Sequence, residues 1–152
     1  CSYLFAERNV RFMKPTHIEH IGIAVASLSD SVAFYEKVLG LKCYNIEEVP
    51  DQKVRTAFFM VGQTKIELLE STDPQGTIAR FIEKRGEGIH HIAFAVENIE
   101  EKLRHAEKEG VRLIDTQPRK GAEGLDIAFL HPGSAHGVLI ELCEHPVQEQ
   151  PE

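Results

Sequence analysis

The 152-residue sequence is short of several things, and each shortage removes a class of protein. Cysteine is scarce: Cys1, Cys43 and Cys143 are odd in number and widely spaced, so no disulfide framework is expected and the chain reads as a reduced, cytoplasmic protein. No run approaches the ~20 apolar residues of a membrane span, and the N-terminus lacks the apolar core of a signal peptide. Basic charge is in deficit. A formal net charge of −7 argues against a broad nucleic-acid-binding face, while leaving room for a phosphorylated small molecule held by a few placed cations. What is present is ordinary globular composition, 42% hydrophobic and 27% charged, which argues against extensive disorder. A chain of this length buries about 70% of its unfolded surface and needs no staple to fold.

The chain repeats itself. HIEHIGIAVAS (His17 to Ser27) lies over GIHHIAFAVEN (Gly88 to Asn98) at an offset of 71, so that His20 falls on His91. The offset persists through Ala57–Phe59 and Ala128–Leu130; after a three-residue insertion, KIELLE (Lys65 to Glu70) meets LIELCE (Leu139 to Glu144). A constant offset through successive segments points to an internal duplication. Each half reads as a strand (Ile18 to Val25; Ile89 to Val96) followed by a helix opening on a capping pattern, Ser27 with Asp30 and Asn98 with Glu101. Leu28, Val32, Tyr35 and Leu39 form one helical stripe, and Ile99, Leu103 and Ala106 another. Gly40 and Gly110 end these helices.

Three strands should complete each half: Leu41 to Val49, Lys53 to Val61 and Thr64 to Glu70, then Val111 to Thr116, Leu125 to His131 and Gly137 to Glu144. The expected fold class is α+β, two βαβββ modules in one domain spanning 15–146. Module one covers 17–71, a linking segment 72–87 carries a helix over Thr77 to Arg85, and module two covers 88–145. Residues 1–14 read as an extension and 147–152 as a frayed tail.

Strand parity places the chemistry. Side chains alternate, so Ile21, Ile23 and Val25 face the helix while His20, Gly22 and Ala24 face the other way; His91 shares its face with Ala93 and Ala95. Small neighbours suggest a cleft rather than a packed core. In the closing strands Glu67 and Glu141 oppose Ile66 with Leu68 and Ile140 with Leu142. A carboxylate in an apolar strand is costly unless paired or bound to a metal. Any one such residue alone would be read as structural or solvated. Two histidines and two glutamates at equivalent repeat positions instead suggest a single divalent-metal site at His20, Glu67, His91 and Glu141, of a kind that suits Co, Ni, Mn or Zn. His17, His105, His136 and His145 read as surface residues, His131 as shaping its turn, and His90 as pointing away from the site.

HIEHIGIAVASL, SVAFYEKVLGLK, VGQTKIELLES, GEGIHHIAFAVENI and FLHPGSAHGVLIEL together resemble the vicinal-oxygen-chelate, glyoxalase-like superfamily, and within it the epimerases that act on methylmalonyl-CoA. The resemblance runs from His17 to Glu144. It implies paired modules forming a curved sheet around a metal, with His20, Glu67, His91 and Glu141 as ligands. It also implies a homodimer, an acyl-CoA substrate, and interconversion of its 2R and 2S forms through a metal-stabilised enolate.

Some of these epimerases carry a glutamate base where this chain has Thr56, so that base does not transfer. Glu67 and Glu141 remain the candidates for acid–base work, with Glu47 and Glu48 as loop acids behind them. Arg119 and Lys120, and secondarily Lys53 and Arg55, are the cation clusters available to the phosphates of coenzyme A. Two other readings stay open: a glyoxalase I type lactoylglutathione lyase using the same ligands, and a metal-free small-molecule-binding protein of the same superfamily.

Overall fold

The computed structural model describes residues 12–146. The expected extension over 1–14 lies outside these residues up to position 11, and the expected tail over 147–152 lies outside them entirely. Two compact units are present, one from Ile18 to Ala93 and one joining the chain up to His17 with the chain from Phe94 onward. The division falls inside a strand rather than at the linking helix.

The unit from Ile18 to Ala93 holds most of β1 (His17–Ala24), then α1 (Leu28–Lys37), β2 (Cys43–Val49), β3 (Val54–Val61), β4 (Thr64–Ser71), α2 (Thr77–Arg85) and the start of β5 (Gly88–Ala95). Its strands are hydrogen-bonded in the order β2-β3-β4-β1-β5. β2–β3 and β3–β4 are antiparallel hairpin neighbours, whereas β1 and β4 run parallel, with Gly22 opposite Glu67 and His20 opposite Lys65. Ile23, Val25, Leu28, Val32, Tyr35, Ala57, Phe59 and Leu68 pack together, so one sheet face closes on α1, while the alternate positions put the buried Thr56 and Glu67 among Val54, Phe58 and Leu69 on the other.

In the second unit α3 (Ile99–Lys108) is followed by β6 (Arg119–Lys120), β7 (Asp126–Leu130) and β8 (Ile140–Glu144), with β6–β7 and β7–β8 antiparallel. Its core gathers Val96, Ile99, Leu103, Ala106, Ala128, Leu130 and Leu142.

The duplication survives to the ends of the elements: β1 and β5, and α1 and α3, match at the same offset of 71. Both helices are capped alike. Ser27 Oγ accepts from Asp30 N at 3.3 Å, and Asn98 Oδ1 from Glu101 N at 3.4 Å. A closing-strand carboxylate then meets each helix start, Glu70 Oε2 accepting from Leu28 N at 2.6 Å and Glu144 accepting from the backbone N–H groups of Asn98 and Ile99. Unsatisfied N–H groups and the helix dipole both favour an anion there.

Four expectations are corrected. Val111 to Thr116 forms no strand; it contributes one bridge, Leu113 to Leu130. The Asp115 carboxylate accepts from Phe129 N at 2.9 Å, replacing a main-chain partner, and Pro118 has no N–H to extend a ladder. Leu39 is exposed, because α1 ends at Lys37 before the stripe reaches it. Glu47 and Glu48 belong to β2 rather than to a loop, paired with Thr56 and Arg55. Fourth, the His90 ring does not stand apart from that of His91, their Nδ1 atoms lying 2.9 Å from one another.

Candidate metal centre

Three of the four expected ligands converge within the unit from Ile18 to Ala93. His20 is carried by β1, Glu67 by β4 and His91 by β5, and all three are buried. His20 Nε2 and His91 Nε2 are 3.1 Å apart, and the Glu67 carboxylate lies 3.9 Å from each. Nitrogen and oxygen donors about 2.0–2.2 Å from a common ion stand roughly 3 to 3.5 Å from one another, so this spacing fits a divalent cation with little movement. The two imidazoles meet edge to face, at 87° between planes and with centroids 5.2 Å apart.

Gly22 explains how the rings come so close. A Cβ at this position would stand 2.2 Å from His91 Cε1 and 2.5 Å from Nδ1. The absent side chain is therefore the space that the His91 ring occupies. The small residues that the sequence suggested would open a cleft serve here to admit an imidazole.

The residue before each histidine takes part, which parity alone did not reveal. His90 does not simply point away: its Nδ1 lies 2.9 Å from His91 Nδ1, and its ring meets the edge of Phe81 on α2 with centroids 5.0 Å apart. Glu19, buried, brings Oε1 to 3.6 Å from His20 Nδ1. Lys65 Nζ donates to that same oxygen at 2.8 Å. A buried carboxylate needs such a cation. The signal for this pair is the β1–β4 register, which brings Lys65 level with His20.

Glu141 lies on β8 of the second unit, buried, accepting from the Cys143 thiol at 3.3 Å. Arg119 and Lys120 form β6, with Arg119 Nε 3.1 Å from Asp115 and Lys120 Nζ 2.7 Å from Asp126. Lys53 faces Asp73 at 3.4 Å, and Arg55 is exposed on β3 between Glu48 and Glu70. The buried Thr56 hydroxyl donates to Glu47 O at 3.3 Å. His131 shapes its turn as expected, Nδ1 accepting from Gly133 N at 2.9 Å.

Comparison with known proteins agrees with this architecture. The profile described as the glyoxalase/bleomycin resistance protein/dioxygenase superfamily matches residues 19–129. The uncharacterized protein YqjC of Bacillus subtilis (strain 168) is 47% identical over 127 residues, covering 84% of this chain and 91% of that one. The mitochondrial methylmalonyl-CoA epimerase of Homo sapiens is 35% identical over 126 residues, covering 82% of this chain and 72% of that one. A single-residue variant of the Streptomyces coelicolor methylmalonyl-CoA epimerase, solved in complex with 2-nitronate-propionyl-CoA, superposes with a TM-score of 0.85 at 35% identity, covering 91% of this chain and all of that one.

Proposed function

The chain belongs to the glyoxalase/bleomycin resistance protein/dioxygenase superfamily, and from that premise we propose that it is a metal-dependent epimerase interconverting (2R)- and (2S)-methylmalonyl-CoA. The observation that carries the reading is the convergence of His20, Glu67 and His91, in a chain similar over most of its length to enzymes of that name. Two imidazoles and a carboxylate suit a divalent first-row ion such as Co, with Ni, Mn or Zn as alternatives. Glu141 is the proposed fourth ligand, supported by its equivalence to Glu67 across the repeat and by its burial. When bound, the ion supplies a Lewis acid beside the oxygen on which negative charge develops as the C2 proton leaves.

The protein's own part is to hold that site and to move the proton. Epimerisation needs one group to accept the C2 proton on one face and another to return a proton on the opposite face. Thr56, its hydroxyl engaged with a backbone carbonyl, offers no base. Glu67 and Glu141 are the proposed acid–base pair, each combining ligand and proton-transfer roles. Arg119 and Lys120 are proposed to meet the phosphates of coenzyme A, exchanging Asp115 and Asp126 for the ligand, and a homodimer is the proposed assembly.

The test is exchange at C2. Metal-loaded protein in D2O should wash deuterium into methylmalonyl-CoA and interconvert the two epimers. Turnover of the hemithioacetal of methylglyoxal and glutathione, without exchange into methylmalonyl-CoA, would replace the epimerase by a lyase.

A further inference from the structure

Repeat-equivalent positions flank the two histidines, and they carry different chemistry. Glu19 precedes His20 and His90 precedes His91, again at the offset of 71. We propose that Glu19, clamped by Lys65, and His90 are the positioning residues that fix the tautomer and ring orientation of His20 and His91, an inference that rests on the metal-site reading above.

A histidine that offers Nε2 to a cation must carry its proton on Nδ1, and the group facing Nδ1 decides how well that form is held. For His20 that group is the Glu19 carboxylate, whose Oε1 stands 3.6 Å from Nδ1, just beyond hydrogen-bond length but near enough to favour a proton on that nitrogen. Lys65 Nζ, 2.8 Å from the same oxygen, clamps this buried carboxylate in place. For His91 it is His90 Nδ1 at 2.9 Å, which can accept only if His90 carries its own proton on Nε2. The edge contact with Phe81 holds the His90 ring in place. The two imidazoles are thus supported unequally. A carboxylate faces one and a second imidazole the other.

Two measurements test the assignment. In Zn2+-saturated wild-type protein, long-range nitrogen–proton NMR should find His20 and His91 protonated on Nδ1 and His90 on Nε2. Finding His90 protonated on Nδ1, or His20 on Nε2, overturns it, and no variant has to fold for this result. Separately, Co2+ titration calorimetry on Glu19→Gln and His90→Phe should show affinity lowered ten- to a hundredfold, the range typical of groups that orient metal ligands. A purely structural role would lower the melting temperature of metal-free protein and leave Co2+ affinity unchanged. Affinity within twofold of wild type in both variants overturns the positioning role alone. Failure of the wild-type protein to bind either Co2+ or Zn2+ overturns the metal site itself.

Discussion

An alanine at position 22 would drive a methyl group into the imidazole of His91. The added carbon would lie 2.2 Å from Cε1 and 2.6 Å from Nε2, where ordinary contact needs about 3.5 to 4 Å. The ring or β1 must therefore yield by more than 1 Å. The sheet resists the second course, because β1 is paired on one side with β4 and on the other with β5. Overpacking of this kind typically costs about 1–3 kcal/mol, which for a chain this size lowers the melting temperature by roughly 2–12 °C. The functional loss should be larger. Metal–ligand distances tolerate only about 0.2 Å, so a displaced His91 leaves the coordination set, and misplacement of about 1 Å at a reacting centre costs on the order of a hundredfold in rate. Gly22→Ala should thus keep a folded circular-dichroism spectrum while losing stoichiometric metal by elemental analysis and most deuterium exchange. A variant that binds Co2+ as tightly as wild type would show that His91 is not a ligand in this geometry.

Three further outcomes follow from the same structure. His91→Ala and Glu141→Ala should each abolish epimerisation and lower metal occupancy in elemental analysis; retention of both would remove the proposed site. Glu70→Ala removes the carboxylate that accepts from Leu28 N, and should cost about 1 kcal/mol in chemical denaturation while leaving metal content unchanged. Cys43→Ser should leave turnover largely intact, since its thiol touches no proposed site residue, and so should Cys143→Ser, whose hydroxyl can still donate to Glu141; complete loss of activity in Cys43→Ser would point to thiol chemistry.

Much of this architecture was legible because it is written twice. The offset of 71 predicted β1 with β5 and α1 with α3, and the capping side chains of Ser27 and Asn98 marked where each helix begins. The linking helix over Thr77–Arg85 was readable from its apolar face and the glycine after it. Legibility ended where a long-range partner decides the outcome. Val111 to Thr116 has strand-like residues, but the Asp115 side chain takes a hydrogen bond that a ladder would need. Glu19 sits at a position that parity assigns to the apolar face, and its counter-ion Lys65 is distant in sequence. Only the parallel pairing of β1 with β4 brings the two together. His90 follows strand parity in its backbone, yet its ring reaches round to the neighbouring imidazole. The proposed ligands were thus visible in the pattern, and the residues that pack beside them were not.

The central claim is that one divalent ion is shared by the two histidines, and a crystal of Co2+-loaded protein tests it most directly. Anomalous density at the cobalt edge should give a single peak about 2.0–2.2 Å from both His20 Nε2 and His91 Nε2, with oxygens of Glu67 and Glu141 completing the protein ligands. A map with no peak between the two imidazoles, from protein that turns over methylmalonyl-CoA, would contradict it.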